Sequence, residues 1–263
     1  MPDCDTTTNA SSSSSCGTIG SNEKNQKNDK LKVLALHGYR QTAESFKSKI
    51  GSFRKYLNKY VDFVFVTAPH IAPVEGDSGN SWWFNKDDGT FKGTNLDGPA
   101  IGFEKSLRLI EEVWETQGPF QGILGFSQGA CFAGIICSLA VRSMTSINPR
   151  FALLASGFRS GSLVHRNAYE QKIQIPSLHI YGETDEIIPK EMSLALAECF
   201  DEPNVLSHSG GHYFPATANQ KQIYIDFFQD QLQDYLEAKE IAEASLANMI
   251  ELKTANNDES DNE

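Results

Sequence analysis

The chain has 263 residues, enough for one α/β domain with a large core, and its formal net charge of -11 argues against a nucleic-acid partner or an anionic membrane surface, both of which need a cationic face. More than half of that imbalance lies between Glu237 and Glu263, where eight acidic and two basic side chains give a net of -6, so the body is only mildly acidic. Five cysteines, Cys4, Cys16, Cys131, Cys137 and Cys199, form no CxxC pair, which speaks against a zinc ribbon or a disulfide framework and fits a reducing compartment.

Residues 1 to 29 are a Ser/Thr/Asn/Lys stretch with too few apolar groups to bury, and are expected to be disordered. They contain no apolar signal-peptide core and carry Asp3 and Asp5 where a transit peptide would carry arginine. Nowhere does an uncharged apolar run reach the roughly 18 to 20 residues of a membrane span, so a soluble, cytoplasmic protein is expected. From Leu31 onward, short apolar runs alternate with longer amphipathic ones. Strands are predicted at 31–36, 61–67, 121–126, 151–156, 177–182 and 204–208, and helices at about 43–58, 100–116, 128–143, 189–199 and 217–236. In the second helix Phe103, Leu107, Ile110 and Trp114 recur at helical spacing. This is the pattern of βα units around a mostly parallel central sheet of about six strands flanked by helices. Two insertions interrupt it, 73–98 with its Ser81-Trp82-Trp83-Phe84 and 157–175, and long loops at the carboxyl ends of such strands usually carry the site. The catalytic domain is bounded at 30–237, and 238–263 continues as helix to about 250 before an acidic, disordered tail.

One turn carries chemistry. Gly125-Phe126-Ser127-Gln128-Gly129 lies between an apolar strand and a helix of small residues, the flanks that a nucleophile elbow requires. The turn is tight, so side chains two residues before and after the serine would meet the neighbouring strand and helix, and Ser127 is lifted to the tip. The following helix aims its first N–H groups at the site, favouring a developing oxyanion. A bland alternative is a Gly-rich βα turn of no function.

A nucleophilic serine needs a base, and the base an orienting acid. Asp185 follows the fifth strand in "YGETDEIIP" and His212 follows the sixth in "SHSGGHYFP", giving the order Ser127, Asp185, His212 of the α/β-hydrolases. Glu183 and Glu186 flank Asp185, and either could form a salt bridge or take its place as the acid; the short side chain of Asp185 reaches a facing histidine with fewer rotamers to freeze. His179 and His208 lie within strands and read as core or supporting histidines. Gly210 and Gly211 between His208 and His212 rule out the helical HxxxH zinc geometry, so no metal and no organic cofactor is expected.

The second half of an oxyanion hole should follow the first strand, where "LHGYRQ" lets the backbone N–H of Tyr39 join that of Gln128. Arg40 and Gln41 either order that loop or are solvated, and His70 reads as structural in a rigid turn. Trp82, Trp83 and Phe84 are either a hydrophobic wall binding an acyl or alkyl chain, or a satellite core under the insertion. Phe126 is expected to pack beneath the elbow. Cys131 and Cys137 read as small buried apolar residues.

Six motifs in order, "LALHGYRQTAESF", "TAPH", "SWWF", "GPFQGILGFSQGA", "IPSLHIYGETDEIIP" and "GGHYFP", resemble the FSH family of serine hydrolases over about residues 30 to 235. The resemblance implies an α/β-hydrolase fold without a large lid domain, a triad on Ser127, Asp185 and His212, and hydrolysis of small-molecule carboxylic esters, thioesters included. An acyltransferase would use the same triad and differ in the acceptor. A nucleotide-binding protein is disfavoured, since no GxGxxG or GxxxxGK[ST] follows the first strand, and a non-catalytic interaction module sits badly with a complete triad. The sequence leaves the oligomeric state open.

Overall fold

The computed structural model describes residues 29–73 and 79–260; the expected disordered stretch at the amino end lies outside them but for Asp29. In chain order the elements are β1 (Leu31–Leu36), α1 (Ala43–Lys49), α2 (Gly51–Leu57), β2 (Val61–Val66), β3 (His70–Ile71), β4 (Asn80–Ser81), α3 (Phe103–Gln117), β5 (Gly122–Phe126), α4 (Gln128–Val141), β6 (Phe151–Ala155), β7 (Ser177–Gly182), α5 (Lys190–Ala197), β8 (Asn204–His208) and α6 (Ala218–Ser260), with a 3-10 helix over Leu163–Tyr169. All six predicted strands are present and pair in the order β2-β1-β5-β6-β7-β8, every neighbour parallel.

The four central strands are mostly apolar on both sides because both faces are covered. On β1, Leu34 and Leu36 join one core with Ile110, Trp114 and Phe132 of α3 and α4. Leu31, Val33 and Ala35 point the other way, into a core with Phe46, Phe53, Tyr224 and Phe228 of α1, α2 and α6. Two-residue periodicity thus splits each central strand between two layers of helix. Chain order reverses between β1 and β5, and the crevice outside the carboxyl ends at such a switch point is where ligands bind in open α/β sheets.

Three regions depart from expectation. The single helix expected over 43–58 is two: Thr42 and Ser45 form a capping box at the start of α1, and Ile50, at φ -96° and ψ 24°, breaks the helix before Gly51, a poor helix former. The strands β3 and β4 pair antiparallel over two residues each, too short to show alternation. The last helix runs on to Ser260, past the expected limit near 250, because its Ala, Glu, Lys and Leu keep helix propensity after the apolar pattern has gone. Among the described residues no helix is long and apolar enough to cross a membrane.

Candidate active site

Ser127 joins β5 to α4 at φ 53° and ψ -115°, a conformation that costs a non-glycine residue roughly 1–3 kcal/mol. Its surroundings hold it there: its N–H donates to Ala155 O at 2.9 Å, and its carbonyl accepts from the Ala130 and Cys131 amides, both at 3.0 Å. A Cβ on Gly125 would lie 2.4 Å from Gly129 O, and one on Gly129 would lie 2.2 Å from Leu36 O. Both glycines of the pentapeptide are therefore needed by the close approach of strand, turn and helix.

Ser127 Oγ lies 3.0 Å from His212 Nε2, and His212 Nδ1 lies 2.7 Å from Asp185 Oδ2. An ionised carboxylate can only accept, so Nδ1 carries the proton and Nε2 offers its lone pair to the serine hydroxyl. The Asp185 side chain is fully buried, and its other oxygen accepts from the Ile187 and Ile188 amides, both at 2.9 Å. The turn just past β7 thus holds the carboxylate from its own backbone. Glu183 instead pairs with Lys190 at 2.8 Å on the surface. His208 ends β8 with Nδ1 accepting from Gly210 N–H at 3.3 Å and its ring against Tyr213; burial lowers its proton affinity. His179 is buried against Phe200, within 3.1 Å of Ser177 Oγ.

The Tyr39 and Gln128 amides have no acceptor among the described residues; that of Gln128 is the first of α4, where no intrahelical partner exists. The loop that carries Tyr39 is pinned on all sides. His37 is buried, and burial pushes its imidazole down to about 4, so it is neutral. Its Nε2 accepts from Ala68 N–H at 2.9 Å, which leaves Nδ1–H to donate to Gly38 O at 2.8 Å. Gln41 orders the turn by accepting Gly38 N–H on its side chain at 3.0 Å, and Arg40, at φ 62°, donates its backbone N–H to Asn80 O at 2.9 Å. His70 lies 2.9 Å from Gly102 O through Nε2.

The aromatic segment needs a correction. Trp82 and Trp83 are both 0% exposed, packed on Phe132 and Phe103. Phe84 is partly buried, ring to ring with His70, and bridges to Ile101. None of the three lines a cleft beside Ser127, so they form a core and not a substrate wall. The reason lies in Gln128, whose side chain is fully buried. Its Oε1 accepts from Trp82 N–H at 3.0 Å and its Nε2 donates to Trp83 O at 2.8 Å, while Trp82 Nε1 donates to His37 O at 2.8 Å. The tryptophans thereby tie the Tyr39 loop to the start of α4. This role of the Gln128 side chain was not read from the sequence. Its signal was an amide at the first position of an otherwise apolar helix, where burial obliges it to find partners.

Two clefts flank the triad. One of about 400 Å³ lies beside Ser127, walled by Tyr39, Phe91, Gly93, Thr94, Ile187 and Ile188 together with Lys92 and Glu186. The other, of about 310 Å³, lies beside His212, walled by Phe46, Ile50, Phe126, Tyr213 and Phe214 with Gln41 and Lys49. A larger cavity of about 480 Å³ between α3, α4 and the 3-10 helix contains no member of the triad. Cys131 and Cys137 are buried in α4, and burial pushes both thiols up, Cys137 to about 12, as expected of packing residues.

Comparison with known proteins gives the family and the fold. The family model for serine hydrolase (FSH1) matches residues 26–224. The chain is 58% identical over 257 residues to Esterase CG5412 of Drosophila melanogaster, covering 95% of this chain and 92% of that protein. It is 39% identical over 219 residues to Esterase OVCA2 of Danio rerio, covering 76% of this chain and 96% of that one. Among solved structures, acyl-protein thioesterase 2 of Zea mays superposes with a TM-score of 0.59 at 18% identity, over 77% of this chain and 94% of the other, a likeness of fold.

Proposed function

Because this chain belongs to the FSH1 family of serine hydrolases and is an ester hydrolase, we propose that it cleaves carboxylic esters through an acyl-enzyme on Ser127. The hydrogen-bonded series Ser127 Oγ, His212, Asp185 at an elbow between strand and helix carries the reading. His212 takes the serine proton as Oγ attacks the ester carbonyl. The negative charge that develops on the carbonyl oxygen is held by the Tyr39 and Gln128 amides, with the amino end of α4 behind them. His212 then gives the proton to the departing alcohol, which leaves the acyl group on Ser127. Water, activated by the same imidazole, releases the acid. Asp185 fixes the Nδ1–H tautomer and stabilises the imidazolium that forms in each step.

The leaving oxygen must stand within reach of His212 Nε2, so the cleft beside His212 takes the alcohol and the cleft beside Ser127 and Tyr39 takes the acyl group. Their walls of Phe, Tyr and Ile favour apolar arms on both sides of the ester. Steady-state hydrolysis of p-nitrophenyl esters tests the assignment. Ser127→Ala and His212→Ala are expected to lower kcat by roughly a thousandfold or more, and Asp185→Asn by as much or somewhat less, each in a folded protein. Wild-type turnover in any of the three would remove that residue from the mechanism.

A further inference from the structure

Ser156 is the residue after β6, and its φ of 45° lies in the left-handed region that glycine occupies without strain. It is fully buried, and its N–H donates to Ile180 O at 2.7 Å. Gly157 follows directly, yet the strained position itself carries a side chain. Its hydroxyl donates to Asp185 Oδ2 at 3.1 Å, the same oxygen that accepts from His212 Nδ1.

We propose that Ser156 is a positioning residue for the triad, resting on the hydrolase reading above: its hydroxyl fixes the rotation of the Asp185 carboxylate and draws charge from the oxygen that faces His212. Two amides hold Oδ1, so Oδ2 would otherwise answer to the imidazole alone. A carboxylate oxygen that already accepts one hydrogen bond attracts the imidazolium less strongly. The Ser156 donor therefore limits how long His212 retains its proton and leaves the neutral, serine-activating form available to lower pH. The other ionisable groups around the pair are His208 at the end of β8, Tyr213 beyond it, Glu186 next to Asp185, and Glu183, which is held by Lys190. None of them donates to Oδ2 among the described residues, where Ser156 and His212 are its two hydrogen-bond partners.

The test is the rate of labelling by a fluorophosphonate across about pH 5 to 9 for the wild type, Ser156→Ala and Ser156→Gly, with thermal unfolding of all three. Both variants lose the hydroxyl, and only glycine relieves the strained φ. Both are expected to label roughly tenfold more slowly at neutral pH. In both, the acid limb of the rate profile should move to higher pH by the same amount, although the glycine variant is the more stable of the two. A slower rate with the limb unmoved, or a limb that follows stability and not the hydroxyl, overturns the inference and leaves Ser156 structural. Wild-type protein that takes up no label overturns the hydrolase reading, and this inference with it.

Discussion

Gln128 works with its main chain and its side chain in opposite directions. Its amide stands beside Ser127 at the start of α4, while its carboxamide reaches back to clasp the Trp82–Trp83 backbone. Cutting the side chain away in Gln128→Ala strands Trp82 N–H in the interior, leaves Trp83 O to the Ser81 hydroxyl alone, and frees the segment that braces the Tyr39 loop. The expected loss is about 2–4 kcal/mol in denaturant unfolding together with a fall in kcat; unchanged stability would mean that the clasp is idle. That Ser127, His212 and Asp185 meet was legible because the proposed chemistry demands few residue types in a set order at strand ends. The tryptophans were not, since an aromatic run in a long insertion reads equally as wall or core, and only the buried carboxamide that holds them decides it. The choice of Asp185 over Glu183 and Glu186 rested on side-chain length, and in the structure Asp185 meets His212 while Glu183 meets Lys190.

At the level of elements, the six strands were legible to within a residue, the four central ones because runs buried on both faces are mostly apolar and end where a loop must turn polar. The strands β3 and β4 were not, since two residues cannot show a period. The helix α6 was legible only in part. Tyr224, Phe227 and Phe228 announce its buried first half, but propensity alone extends it beyond, where Ile241, Leu246 and Met249 are exposed at 67%, 60% and 55%. Residues that bury little apolar surface add little to stability. Removing residues 241–263 is therefore expected to shift the thermal midpoint by less than about 3 °C and to leave ester hydrolysis unchanged. Loss of the folded state on truncation would show instead that the second half of α6 supports the domain.

Across the whole molecule, the crossover between β1 and β5 gathers one contribution from each of several strand ends: the Tyr39 loop from β1, Ser127 from β5, Asp185 from β7 and His212 from the loop after β8. The same compactness buries histidines. Burial holds His37 and His165 down at about 4 and His179 at about 3, against 6.5 for a free imidazole. Each is lowered by folding, so the unfolded chain binds more protons once the pH falls below about 6.5, and stability drains away from there toward pH 4. Unfolding midpoints should be level near neutrality and fall across that window; midpoints that stay level down to pH 4.5 would contradict the neutral, buried histidines. The central claim is that Ser127 is the nucleophile, and its most direct test is intact-protein mass after incubation with a fluorophosphonate. One adduct per chain, mapped to Ser127 and absent from a folded Ser127→Ala protein, is the predicted result. An unlabelled wild type, or an adduct that survives in Ser127→Ala, would contradict it.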